Sequence, residues 1–308
     1  IGHVTREEDA VEHLLVANTH DWALFFTNRG RVFSAKVHAI PDASRQAKGL
    51  PIINMPGVQV EAGEVPTATI TLKEFSAGSY LVLATRRGII KKTPLEQFER
   101  VRSTGIRAIT LDDKDELAWV DISTGEDDII IATAQGMLAK FHENEVRGMG
   151  RDAGGVIGIR LLKKEGDEVV AMSVVQPGAD LLVLSETGYG KKVSIDDFRI
   201  KHRGGQGVRL ISLEGRKTGL VAAVQQVTEM DEELVLISAQ GQVVRTELDT
   251  VNRYSPNARG VIVMRLNEGD RVVGIAAFRP GLAEGRDTDD NDSPDASPGG
   301  GSPVGGAS

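Results

Sequence analysis

The sequence contains no cysteine, which excludes disulfide frameworks, thiolate metal sites and a cysteine nucleophile, and which fits a reducing compartment. Aromatic residues are scarce, at 4%. No apolar run reaches the roughly 18–20 residues of a bilayer-crossing helix, and no secretory h-region opens the chain. An excess of positive charge is also missing: 36 Lys and Arg face 44 Asp and Glu, for a net charge of −8. Glycine is plentiful, 35 of 308 residues, and 40% of the chain is hydrophobic. That balance supplies a core and points to many short strands joined by tight turns. Ile1 in place of Met points to a piece of a longer protein.

The negative charge is unevenly placed. Residues 283–308 hold six carboxylates (Glu284, Asp287, Asp289, Asp290, Asp292, Asp295) against Arg286 alone, so five of the eight net negative charges sit there and three on residues 1–282. The same segment is rich in Gly, Ser and Pro. It cannot bury enough apolar area to offset its ordering entropy, and a disordered acidic tail is expected over 283–308.

Residues 1–282 repeat. An apolar run, a Thr/Ser-x-x-Gly turn and a second strand recur five times, as in Leu81-Val82-Leu83-Ala84-Thr85-Arg86-Arg87-Gly88 and Leu181-Leu182-Val183-Leu184-Ser185-Glu186-Thr187-Gly188. The turn glycines are Gly30, Gly88, Gly136, Gly188 and Gly241, spaced by 58, 48, 52 and 53 residues. Each stands where a hairpin needs positive φ. A second landmark is a glycine opening an alternating apolar strand, at Gly49, Gly105, Gly155, Gly207 and Gly260. About four strands in about 50 residues is the arithmetic of a propeller blade. The two landmarks are offset, so the chain starts and stops inside a unit. Joining the two partial units predicts a sixth blade, completed by the N-terminal segment, which protects the terminal edges.

Basic residues recur at two places in each unit. Before the strand-opening glycine stand Arg45 and Lys48; Arg100 and Arg102; Arg147 and Arg151; Arg199, Lys201, His202 and Arg203; and Arg253 and Arg259. After the turn glycine stand Arg31 and Lys36; Lys91 and Lys92; Lys140; Lys191 and Lys192; and Arg245. In a radial array, equivalent positions share one part of the body, so these become a positive belt on an anionic protein. A belt suits a polyanion that bends. Carrying about 40 base pairs through a half-turn costs on the order of 10 kcal/mol, which about a dozen phosphate contacts at roughly 1 kcal/mol each offset. No base-reading element is evident, so contacts of this kind position rather than specify.

Several stretches together resemble the C-terminal DNA-wrapping domain of the DNA gyrase A subunit, of the type IIA topoisomerase family. They are Thr19-His20-Asp21 with Phe25 to Val32 and Ile40 to Arg45, Lys91-Lys92-Thr93, Thr124-Gly125-Glu126-Asp127, Arg147-Gly148-Met149-Gly150 and Gly188-Tyr189-Gly190-Lys191-Lys192. The resemblance covers about residues 1–280. It implies an all-β, six-bladed β-pinwheel whose neighbouring blades exchange strands. It implies wrapping of double-stranded DNA with positive handedness for strand passage and negative supercoiling. The implied partners are the N-terminal cleavage domain of the same polypeptide and the gyrase B subunit, in an A2B2 parent in the bacterial cytoplasm. ATP and Mg2+ serve other domains of that parent, and this segment needs no cofactor and no membrane. The homologous domain of topoisomerase IV, which binds DNA without strong wrapping, and a protein-interaction propeller are the alternatives.

The family's Gln-Arg-Arg-Gly-Gly-Lys-Gly-like box should end just upstream of Ile1. A related copy, Lys201-His202-Arg203-Gly204-Gly205-Gln206-Gly207, matches at Arg203, Gly204, Gly205 and Gly207 and lacks the final cation at Gln206. Its glycine N–H groups and Arg203 are expected to meet a phosphate. Catalytic patterns are wanting. Ser185 and Val193 spoil a phosphate loop around Gly190-Lys191, and the six histidines have no metal-ligand spacing. Tyr80, Tyr189 and Tyr254 are the only tyrosines. Arg253-Tyr254-Ser255 lies in a repeat-boundary loop, so Tyr254 is read as structural or DNA-flanking.

Overall fold

The computed structural model describes residues 17–41, 58–102, 104–213 and 218–278. Its strands run in chain order as β1 (Trp22–Thr27), β2 (Arg31–Lys36), β3 (Pro66–Leu72), β4 (Tyr80–Thr85), β5 (Ile89–Pro94), β6 (Ile106–Arg107), β7 (Leu117–Ser123), β8 (Asp128–Thr133), β9 (Met137–His142), β10 (Val156–Ile157), β11 (Val169–Val174), β12 (Asp180–Ser185), β13 (Tyr189–Ser194), β14 (Val208–Arg209), β15 (Val221–Val227), β16 (Glu233–Ser238), β17 (Val243–Glu247), β18 (Val261–Ile262) and β19 (Val272–Phe278). They form five antiparallel sheets, ordered β3-β1-β2-β6, β7-β4-β5-β10, β11-β8-β9-β14, β15-β12-β13-β18 and β19-β16-β17.

Each hairpin closes as its Thr/Ser-x-x-Gly motif demands. The glycine N–H donates to the carbonyl of the Thr or Ser three residues earlier, as from Gly88 to Thr85 at 3.1 Å and from Gly188 to Ser185 at 3.0 Å. In four of the five, the hydroxyl of that residue also accepts the N–H four positions on, as Thr85 does from Ile89 and Ser185 from Tyr189, both at 3.2 Å, whereas the Thr133 hydroxyl has no partner. Gly188 shows why no other residue serves. Its φ is +82°, and a Cβ there would stand 2.1 Å from the Met264 carbonyl oxygen of the next unit's crossover.

After its hairpin, each of the second to fifth units sends a two-residue strand to the outer edge of the preceding sheet and then returns to supply its own inner strand. Thus β6 pairs with β2, β10 with β5, β14 with β9 and β18 with β13. That rule corrects the expected blade number. The described residues form five blades, not six. β19, expected in a sixth unit, pairs with β16 as the inner strand of the fifth, because the strand after a crossover belongs to the hairpin before it. The N-terminal segment expected to complete the sixth blade lies outside the described residues as far as residue 16. So does the 283–308 tail. Among the described residues, no short strand covers β17.

The core lies between blades. Along β4, Leu81 and Leu83 pack with Leu24, Phe26 and Val32 of the first blade, while Val82 and Ala84 pack with Ile129, Ile131 and Phe141 of the third. The same alternation joins the third blade to the fourth and the fourth to the fifth. Burial on both faces explains why the first hairpin strands read as unbroken apolar runs. Polar clips stitch the inner strands at every seam: Thr67 to the Leu117 carbonyl, Asp121 to the Val174 N–H, Gln226 to Ser173 and Val174, and Gln225 to both backbone groups of Ala277. Burial pushes the Asp121 carboxyl above its ordinary range.

Candidate nucleic-acid interface

The crossovers lie at the outer edge of the array and touch one another in order. The Thr110 N–H donates to the Ala153 carbonyl, Arg160 to Gly205 and Ser212 to Ala258, at 3.2, 2.8 and 3.3 Å. Each bond joins the crossover of one unit to that of the next. The loops carrying the expected cations are therefore consecutive links of one band. On it, Arg100, Arg102, Arg147, Arg199, Lys201, His202, Arg253 and Arg259 are exposed and Arg151 is half-buried. Arg259 stacks over the Tyr189 ring at 5.1 Å, a hold that keeps its charge outward. Arg45 and Lys48 lie outside the described residues.

The second set of cations behaves differently. Lys91 and Lys191 are fully buried. The Lys91 ammonium donates to the Ala108 and Arg151 carbonyls at 2.6 and 2.5 Å, and that of Lys191 to Ser255, Pro256 and Ala258 at 2.7, 3.0 and 2.9 Å. Burial lowers both amines to about 8, which leaves them protonated at neutral pH. One residue on, Lys92, Lys140 and Lys192 reach the carbonyls of Glu143, Ile195 and Leu248 at 3.2, 3.4 and 3.2 Å. Each of those carbonyls opens the 3-10 turn of the following blade. Lys92 also meets the buried Glu143 carboxylate at 3.2 Å and lies over the Tyr80 ring. These lysines pin blade to blade, and Lys91, Lys92 and Lys191 have no surface to offer a polyanion. In the fifth blade, Arg245 is exposed and pairs with Glu233.

The Lys201–Gly207 loop also departs from expectation. The Arg203 guanidinium is spent on the Glu145 and Ile157 carbonyls, both at 2.9 Å, and the Arg203 backbone N–H donates to the Glu145 carboxylate. His202 takes the other Glu145 oxygen at 2.8 Å. Burial alone would raise Glu145, but the Arg203 N–H and His202 outweigh it and hold this carboxyl below its usual range. Gly204 donates to the Gly158 carbonyl. Gly207, at φ +77°, leaves only 2.4 Å between a Cβ and the Leu138 oxygen. Arg203, Gly204 and Gly207 thus hold the loop to its neighbour, while Lys201, Gly205 and Gln206 stay exposed. Arg253 is similarly shared with Asp180, at 2.8 and 3.0 Å, and hydrogen bonding to that carboxylate raises its pKa further.

Sequence reasoning missed the strand half of the band. Arg107, Arg160, Arg209 and Arg265 are exposed, one in each of the four described crossovers. Their signal was present: the stretches after Gly105, Gly155, Gly207 and Gly260 each carry one arginine at the second or fifth position, though the stretch after Gly49 has none. Among the described residues, no cluster of His, Asp or Glu is arranged to hold a metal ion, and no helix is long and apolar enough to cross a membrane.

The family model described as DNA gyrase C-terminal domain, beta-propeller, matches residues 21–60, 79–124, 127–176, 179–228 and 232–279, one segment per blade. The DNA gyrase A subunit of Escherichia coli K12 is 40% identical over 292 residues, which is 95% of this chain and 32% of that protein. The DNA gyrase A subunit of Staphylococcus aureus NCTC 8325 / PS 47 is 37% identical over 281 residues, 90% of this chain and 31% of that one. The chain therefore spans about a third of the length of these relatives. A solved DNA gyrase A C-terminal domain superimposes with a TM-score of 0.71 at 27% identity, covering 85% of this chain and 84% of that one. A topoisomerase IV C-terminal domain reaches a TM-score of 0.78 at 24% identity, covering 90% and 85%, a likeness of fold. Five repeats, their exchanged strands and these matches agree that the chain belongs to the DNA gyrase C-terminal domain family.

Proposed function

We propose that this chain binds duplex DNA along the crossover band without reading its sequence, and bends it around the edge of the blades. The observation that carries this reading is the ordered contact between crossovers, each bearing exposed arginine. Removing the inward lysines subtracts from the expected belt, and Arg107, Arg160, Arg209 and Arg265 replace them. About a dozen outward cations remain, the number that offsets a bend costing on the order of 10 kcal/mol. Within a gyrase parent, the wrapped duplex would be handed to the cleavage domain of the same polypeptide, with the B subunit supplying ATP chemistry. This segment acts as a non-catalytic binding surface. The gyrase relatives, at 40% identity, favour this role over that of topoisomerase IV, for which the likeness is one of fold.

Binding should tighten with duplex length to a plateau and weaken 10³–10⁵-fold between about 50 and 200 mM salt, if six to ten phosphates are met. Nicked circles closed by ligase on the protein should change linking number. A flat salt response rejects DNA binding. Unchanged linking number with intact binding rejects wrapping.

A further inference from the structure

One stretch of the band is built unlike the rest. Arg100, Arg102, Arg107 and Arg151, with Thr104 and Gly105, line a cleft of about 620 Å³ where the crossover of the second unit meets that of the third. None of these four arginines has a carboxylate partner among the described residues. Elsewhere on the band the charge is partly spent: Glu145 holds His202 and Arg203, and Asp180 holds Arg253.

The cleft is also fixed in shape. The ammonium of Lys91 donates to Ala108, the neighbour of Arg107, and to Arg151, so one buried cation ties both walls together. Thr110 adds two bonds between the same walls, to the Asp152 and Ala153 carbonyls. Gly105 turns the loop at φ +70°, its N–H on the Arg102 carbonyl, with the Phe33 ring where a Cβ would stand. Arg31 lies over Phe33 and donates to the Thr104 carbonyl. Four arginines thus line one cleft whose backbone walls are fixed before any anion arrives. Mutual repulsion among them is relieved by a phosphate, and the planar fork of arginine suits its oxygens.

We propose that this cleft is the phosphodiester seat at which a duplex first locks to the band, the remaining crossovers adding weaker and interchangeable contacts. The proposal rests on the DNA-binding reading above and deepens it. It predicts unequal consequences for equal losses of charge.

The test compares Arg102→Ala/Arg107→Ala with Arg199→Ala/Arg265→Ala in the full chain, by fluorescence anisotropy on a duplex of about two helical turns. All four side chains are exposed, and matched melting temperatures confirm that both variants fold. The cleft pair should weaken binding by at least about tenfold and the control pair by about two- to threefold, the latter being ordinary loss of counterion release. Arg102→Lys/Arg107→Lys, which keeps charge and removes the fork, should fall between wild type and the alanine pair. Equal losses in the two alanine pairs, or full rescue by lysine, overturn the seat and leave DNA binding standing. A wild-type chain that binds no duplex overturns both.

Discussion

The Lys92 ammonium and the Glu143 carboxylate meet 3.2 Å apart at the seam of the second and third blades, and both side chains are closed off from water. Glu143 also accepts from the Ser123 hydroxyl and from the Gly125 and Asp127 N–H groups, so its charge is fully engaged. Lys92→Met removes one partner and leaves a buried carboxylate short of its counter-charge. It should cost about 3–5 kcal/mol in urea unfolding, and Lys92→Met/Glu143→Gln less than the sum of the two single changes. Strict additivity would show the pair to be uncoupled.

Lys191 provides a pH signature. Its folded-state amine is lowered to about 8 by burial, against 10.5 in an exposed chain. The unfolded state therefore holds more protons between those values, so the charging penalty, full below pH 8, is relieved as pH rises toward 10.5. Stability of wild type relative to Lys191→Met should rise across that window. Parallel pH profiles for the two proteins would show that the ammonium carries no burial penalty.

Outward and inward cations should separate in salt titrations. Arg102→Ala should lower the slope of log affinity against log salt by about 1 and leave the melting temperature near wild type. Lys91→Met should do the reverse, lowering the melting temperature while the slope stays within error. Equal effects of both on the slope would return Lys91 to the DNA surface.

Gly188 and Gly178 both have positive φ, at +82° and +75°, but their surroundings differ. Gly178→Ala meets nothing within 4 Å and should cost only the left-handed penalty of about 1–2 kcal/mol. Gly188→Ala drives a Cβ against the Met264 carbonyl and should cost clearly more, with near-ultraviolet circular dichroism changed. Equal melting temperatures for the two variants would show that the crossover yields freely at that point.

Deleting residues 283–308 removes five net negative charges. Affinity for duplex DNA at low salt should rise, and the difference should vanish at high salt, where the Debye length is about 3 Å at 1 M. Unchanged low-salt affinity would make the tail indifferent to binding.

Much of this was legible in the chain itself. The Thr/Ser-x-x-Gly turns gave the hairpins, and Gly105, Gly155, Gly207 and Gly260 each opened an exchanged strand. The blade number was misread because the repeat does not announce which hairpin owns the strand after a crossover. β19 closes the fifth sheet, and only pairing shows it. The lysines were legible as a repeat but not by direction. Lys91 and Lys92 occupy alternate faces of β5, and alternation ordinarily gives at least one of two such neighbours a solvent face. Both faces of that strand instead meet carbonyls supplied by a neighbouring unit, which no local pattern encodes. Arg107 and Arg160 were overlooked for the opposite reason: the apolar run after each opening glycine masks the exposed positions within it.

Because each of the second to fifth units lends its short strand to the sheet before it, loss of order has a direction. Melting the fifth unit strips β18 from β13 and bares the fourth sheet, whereas melting the first takes no strand from any other described sheet. Fraying should therefore advance from the C-terminal end toward the N-terminal one, and amide exchange at β13 should follow the opening of β16 and β17 rather than that of β1.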